Sequence, residues 1–469
     1  MELRFSPYDF KYKVQNEKTY VYLYSKLEDG TKVCVMHEYA PYFYADISDE
    51  RTITLLKDFT LDDKGNIARI VRVESIKKEL LGKTKFFVKI TVNYPKAVPL
   101  IAKDLAERGI QCYETKIIFI DRYVRDNGIT PMTMIQATGD FSSKGGLRVP
   151  LFEASTVESV SKETHKSWKI CALDIETYAV KKEINPHKNP ILMVAFYGVD
   201  ENDVVFRKVI TWRKFNTKLN YLEVVSDEVE LLKRVKEILI DYQPDIVTGY
   251  FSDGFDFPYI KTRADKHGVV FDIGADYSQL DIRKKAGFRS SEARITGMLH
   301  LDMLQFIRNI FGKNLKTDSY SLNAVSHELL DSKKHDVDIN NLAHVWDHDH
   351  DKLEDFCKYN LHDAHLTYQL CKKLLFDILE FTKIVGLPSH NVIRMRFSKL
   401  VENYILKRAI EYNVIAPNKP IGSEMKERME ESIQGAFVYE PTPGIYENIV
   451  VFDFRSLYPT IITAHNIGP

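Results

Sequence analysis

Two acidic side chains stand two residues apart inside an apolar run: Asp174 and Glu176 in KICALDIETY. Alternation along a strand puts residues i and i+2 on one face, so the two carboxylates project together. Anions so placed repel each other, and the chain can fold around them only where solvent or a cation holds the charge. Mg²⁺ or Mn²⁺ suits such all-oxygen surroundings. Taken alone, the string also fits two solvated acids at a strand end, so the reading depends on what the rest of the chain supplies.

More acids follow. PDIVTGYFSDGFDFPYI runs a predicted strand into a glycine-containing turn and a helix start, placing Asp253 and Asp256 where chain ends gather over a sheet. Asp256 can alternatively cap that helix. KYNLHDAHLTY sets Tyr359 and Asp363 four apart, hence on one helix face. Together, Asp174, Glu176, Asp256, Asp363 and Tyr359 can line a pocket for two divalent ions about 4 Å apart, an arrangement that hydrolyses phosphodiesters without a cysteine or serine nucleophile. One ion activates water, the other stabilises the leaving oxygen, and a tyrosine hydroxyl orients the nucleophile.

The 469 residues suffice for about three domains, and 44% hydrophobic with 28% charged residues is ordinary globular usage. Lys and Arg number 65 against 66 Asp and Glu, so affinity for nucleic acid must come from local basic surface. Five cysteines, Cys34, Cys112, Cys171, Cys357 and Cys371, are scattered without a C-x-x-C pair, which points to buried free thiols. No apolar run reaches the roughly 18 residues of a membrane span. MELRFSPYDFKYK lacks the apolar stretch of a secretory signal, so a cytoplasmic location is expected and no membrane partner.

Short apolar runs and turns make residues 1–132 a strand-rich domain, with VPLIAKDLAERG a helix closed by Gly109. Residues 133–166, rich in Ser, Thr and Gly, read as a linker or excursion. In residues 167–374, KICALDIETY, PILMVAFYGV and DVVFRKVITW are strands, SDEVELLKRVKEILIDY a helix capped by Ser226 or Asp227, and PDIVTGY another strand. A long helix from LEDF to KIVG follows. This order specifies an α/β mixed sheet covered by helices within an α/β and α+β multidomain chain. Residues 375–416 read as a helical return to the amino-terminal domain, and 417–469 as a separate terminal part. VWDHDHDKLED, with His348 and His350 among acids, is expected to be a solvated surface loop and not a metal site.

DIET, FDFPY and Y-x-x-x-D, in this order, resemble the three exonuclease motifs of family B DNA polymerases. ENIVVFDFRSLYPTIITAHN resembles that family's first polymerase motif, and APYFYADI, ELLGK, YPKAVP and EVVSDEVELLKR resemble its archaeal branch. The resemblance covers nearly the whole chain. It implies a ribonuclease-H-like 3′–5′ exonuclease domain in which Asp174, Glu176, Asp256 and Asp363 bind metal and Tyr359 orients water, acting on a frayed DNA 3′ end. The second motif usually carries asparagine where this chain has Phe251, so contact with the primer strand is altered there.

The same resemblance assigns catalytic metal to Asp453 and the Phe454 carbonyl, and nucleotide contact to Leu457 and Tyr458, with Tyr458 as the gate against a 2′-hydroxyl. IQGAFVYEP resembles a Y-x-G-G segment that touches DNA; Gly435 survives, while Ile433 and Ala436 depart from the pattern. Pro41, Tyr42, Val98, Ile117, Phe119 and Arg122 match an amino-terminal pocket for template uracil, although core packing explains most of them as well. Implied cofactors are Mg²⁺ or Mn²⁺ in two-metal sites. Implied partners are primer-template DNA, a single-stranded 3′ end, deoxynucleotide, and a second polypeptide supplying the rest of the palm, the fingers and the thumb; a sliding clamp is compatible. That polypeptide would dock on an exposed palm edge strand and the apolar surface beside it. The alternatives are a truncated polymerase, a free-standing single-strand 3′–5′ exonuclease and a catalytically silent DNA-binding subunit.

Overall fold

A computed structural model describes residues 1–63, 65–143, 145–165, 167–179, 184–200, 202–284, 291–312, 314–332, 337–420, 422–430 and 435–467. It divides into two compact units. The first holds Met1–Pro41, Asn93–Pro95 and Ile117–Arg408; the second holds Tyr42–Val92, Lys96–Lys116 and Ala409–Pro469. The strand-rich domain expected over 1–132 is therefore shared between them.

In the first unit, Glu2–Gln15, Lys18–Leu27, Lys32–Glu38, Leu151–Thr164 and Thr133–Phe141 close into a barrel. Its last two strands lie within the stretch expected to be a linker, and this is a correction. Thr133, Ile135 and Ala137 alternate inward into a core with Phe5, Val21, Leu23, Val35 and Phe152. Serine and threonine on the outer face hide that alternation from a search for apolar runs.

The second element of this unit is a six-stranded mixed sheet. Its strands are β1 (Ile170–Thr177), β2 (Ile191–Val199), β3 (Val205–Thr211), β4 (Leu222–Val224), β5 (Ile246–Gly249) and β6 (Leu299–Asp302), in the order β4-β3-β2-β1-β5-β6. β1 runs antiparallel to β2 and parallel to β5. Alternate residues of β1 serve opposite faces. Cys171, Leu173 and Ile175 pack under α1 (Glu228–Tyr242) and α2 (Asp256–Lys266), against Leu231, Leu232, Val235, Phe257 and Ile260. Burying each large aliphatic or aromatic side chain contributes about 1.5–3 kcal/mol. Ile170 and Ala172 face the other way, toward Leu370, Cys371 and Leu374 of α3 (Leu353–Val385). The expected α1 cap is Asp227, whose carboxylate accepts from Glu230 N at 2.9 Å. Gly386 closes α3 with φ of 69°, a conformation that glycine takes without strain.

In the second unit, Thr60–Asp63, Asn66–Leu80, Lys83–Val92, Tyr42–Ala45 and Cys112–Tyr113 form an antiparallel sheet. The helix Ala97–Glu107 ends just before Gly109, as its sequence predicts. Val414 bridges to Glu79, and Ile415 N donates to Glu79 O at 2.9 Å. Beyond that point the described residues form only the helices Gly422–Glu430 and Leu457–Ala464. The expected palm edge strand is absent among them, a second correction: a strand without ladder partners gains no hydrogen bonds to fix it. Val451 and Phe452 are 86% and 90% exposed.

All five cysteines are free and buried. Among the described residues no helix is long and apolar enough to cross a membrane.

Candidate active site

Asp174 and Glu176 share the parity of Ala172, so they project from β1 toward α3. The ladder to β2 slips by one residue immediately after Glu176, where Thr177 faces Ile191. Such a bulge ends regular pairing and re-aims the chain beside a site. α3 brings Tyr359, Asn360 and Asp363 to the same place. Carboxylate oxygens of Asp174, Glu176 and Asp363 lie within 4.8 Å of one another. Asp256, buried at the start of α2, stands outside that tight triplet yet close enough for its charge to act on Asp174 and Glu176.

The electrostatics follow from this crowding. Burial, then the charges of Asp256, Asp363 and Glu176, holds the Asp174 carboxyl well above the usual carboxylate range. Glu176 is raised by burial, then by Asp363 and Asp256. Burial pushes Asp256 up to about 7 and Asp363 up to about 6. Burial and the neighbouring carboxylates, Asp363 first among them, also raise the Tyr359 hydroxyl, which stays protonated at neutral pH.

These residues fit a divalent cation. Asp363 Oδ1 is buried without a hydrogen-bond partner, and the donor set is all oxygen. A bound cation would relieve both the orphaned atom and the mutual repulsion.

A pH dependence follows for the metal-free protein. Asp256 and Asp363 titrate above the ordinary carboxylate value of about 4. Between that value and their raised ones the folded state binds protons that the unfolded chain releases, so stability falls as pH rises through the window and levels off above it. In chelator-treated protein, Asp363→Asn should melt with wild type near about pH 4 and several degrees above it near about pH 8. Mn²⁺ should stabilise wild type more than the variant at the higher pH. Identical melting curves across the range would contradict the repulsion.

Two residues that sequence reasoning missed support the cluster. Asn360, fully buried, donates from Nδ2 to Asp174 Oδ2 at 2.7 Å. Its only signal in the sequence is an amide three residues before Asp363, hence on the same helix face. Asp302, at the end of β6, accepts from the backbone N–H groups of Phe251, Asp253 and Leu304, each at 3.0 Å, and so fixes the turn that leads to Asp256.

Asp253 is not aimed at the cluster. Arg394 grips it through Nε at 2.7 Å and a second guanidinium nitrogen at 3.0 Å, and Ala293 N adds a hydrogen bond at 2.8 Å. Both charges are buried. Arg394→Ala should cost about 3–5 kcal/mol, because it strands the carboxylate without its partner. Chemical denaturation checks this; a loss near zero would place the pair in solvent.

The other sequence-predicted positions lie elsewhere. Phe251 sits before α2, outside the carboxylate triplet, with φ of 65°. Asp453, Phe454, Leu457 and Tyr458 belong to the second unit and are exposed, and among the described residues Asp453 joins no group of three metal-ligating side chains. Gly435 and Ala436 are exposed, while Ile433 lies outside the described residues. Pro41, Ile117, Phe119 and Arg122 fall in the first unit, Tyr42 and Val98 in the second. Phe119 packs in the barrel core, its ring against Tyr12 and Tyr39. The histidine patch is not the expected loop: His348 ends the helix Leu342–His348, a single turn over His350–Lys352 follows, and Asp347 accepts from the Tyr178 hydroxyl.

A mixed sheet between helical layers, with carboxylates from its central strand and from a covering helix converging at one point, defines a class of site able to hold a divalent cation. Comparison with known proteins narrows it. Residues 110–325 match the exonuclease domain of DNA polymerase family B, and residues 387–469 match DNA polymerase family B. DNA polymerase 1 of Pyrococcus abyssi is 32% identical over 464 residues, covering 98% of this chain and 54% of that protein. A DNA polymerase of Thermococcus gorgonarius gives the same identity and coverage. The fold is similar to the family B DNA polymerase of the hyperthermophilic archaeon Pyrobaculum calidifontis, with a TM-score of 0.78 and 23% identity over 99% of this chain and 57% of that one. The chain belongs to the archaeal type of family B DNA polymerases and corresponds to an amino-terminal portion with the exonuclease domain and part of the polymerase domain. It spans about half the length of these relatives.

Proposed function

We propose that this chain is the proofreading part of a DNA polymerase, removing nucleotides from a single-stranded DNA 3′ end, and that it carries one half of a polymerase site completed by a second polypeptide. The convergence of Asp174, Glu176 and Asp363 carries the first reading. These residues, with Asp256, would hold Mg²⁺ or Mn²⁺. Two such ions, when bound, supply an activated water and charge stabilisation at the leaving oxygen. Asn360 fixes the Asp174 carboxylate. Tyr359, kept protonated by its surroundings, orients the attacking water through its hydroxyl. A catalytically silent DNA-binding role is disfavoured, since it would leave the repulsion among buried acids without a use.

The polymerase half rests on the intact D-x-x-S-L-Y-P string, with Asp453 and the Phe454 carbonyl as metal ligands and Leu457 and Tyr458 beside the incoming deoxynucleotide. The apolar side chains exposed at Val451, Phe452 and Tyr458 supply a surface for the completing polypeptide.

The direct test is incubation of 5′-labelled single-stranded DNA with the chain and Mg²⁺ or Mn²⁺. A ladder shortening from the 3′ end, abolished by chelation, is expected; DNA of unchanged length would reject the reading.

A further inference from the structure

Phe251 occupies a place that costs the protein free energy and gains little from burial. Its φ of 65° lies in the left-handed region, which asparagine and glycine tolerate and a bulky ring does not favour. The conformation is nevertheless held at both the backbone N–H and the carbonyl. Phe251 N donates to Asp302 Oδ1 at 3.0 Å, and its carbonyl accepts from Gly254 N and Phe255 N, both at 2.9 Å. The ring itself rests on Gly254: a Cβ at that position would collide with the edge carbons of the phenyl group. The glycine therefore provides a flat seat. Even so, 40% of the residue remains exposed. Strained backbone concentrates where function requires it, and here the turn leads within five residues to Asp256.

An exposed aromatic ring clamped from below offers one thing to a nucleic acid, a face on which a base can stack. Stacking of this kind tolerates any base, because each has a π-face. We propose that Phe251 is a stacking platform for a base near the 3′ end of the single strand entering the carboxylate cluster, in place of the polar contact that the related motif's asparagine would make. The proposal rests on the exonuclease reading. It assigns Phe251 to substrate binding and leaves the chemical step to the acids.

Phe251→Asn is the informative variant, since asparagine accepts the left-handed backbone and its melting temperature should equal or exceed that of wild type. Its KM for single-stranded DNA is expected to rise about tenfold with kcat changed less than about threefold, and Phe251→Trp should retain wild-type KM. Oligonucleotides with one abasic residue, moved stepwise from the 3′ end, give a readout that a merely structural role would not move. Wild type should lose about tenfold in KM at one abasic position, and Phe251→Asn should show no such position. Wild-type KM and an unchanged abasic profile in Phe251→Asn, with cutting intact, would overturn the platform alone. Failure of the wild-type chain both to bind and to cut single-stranded DNA would overturn the platform together with the reading beneath it.

Discussion

Asp174→Ala combined with Glu176→Ala should reduce metal-dependent shortening of single-stranded DNA by at least about a thousandfold, the scale expected when electrostatic stabilisation and nucleophile activation are removed together. The two side chains share one face of β1 and, with Asp363, form the only group of three metal-ligating side chains found among the described residues. Loss of both removes two of the three carboxylates of that group and leaves only Asp363 and the more distant Asp256 to hold a cation. The variant should nevertheless fold, because deleting two anions from a crowded, buried cluster relieves repulsion. A raised melting temperature in chelator, paired with lost activity, would separate a catalytic defect from unfolding. Undiminished cutting by the double variant would remove the site from consideration.

The second large effect concerns synthesis. The 469-residue chain on a primed template should incorporate no deoxynucleotide above background, and incorporation should appear when a polypeptide bearing the remaining palm acids, fingers and thumb is added. Asp453 stands exposed, without further acids gathered around it among the described residues, and one carboxylate cannot organise two ions. Hydrogen exchange at Val451, Phe452 and Tyr458 should slow upon that addition, because these exposed side chains would become an interface. Incorporation by the chain alone would refute the two-part reading.

Much of the site was legible because it is periodic. The two-residue spacing in β1 and the four-residue spacing in α3 fix which side chains share a face, so Asp174 with Glu176 and Tyr359 with Asp363 could be paired before any fold was known. Pairings between distant segments were not legible. Nothing local joins Asp253 to Arg394, 141 residues away, and Asp253 consequently resembled a further site acid. Asn360 looked like one polar residue among many until its amide was seen against Asp174. The barrel strands Thr133–Phe141 and Leu151–Thr164 escaped notice because a half-buried strand with a hydroxyl-rich outer face carries no apolar run.

That barrel also constrains the order of events on the ribosome. Its first three strands are complete by Glu38, yet the strands that close the ring end only at Phe141 and Thr164. At about 5–20 residues per second, the nascent amino-terminal hairpins must wait several seconds with unpaired edges before their neighbours emerge. Slow translation across this interval would prolong that exposure, whereas chaperone capture of the first strands would protect it.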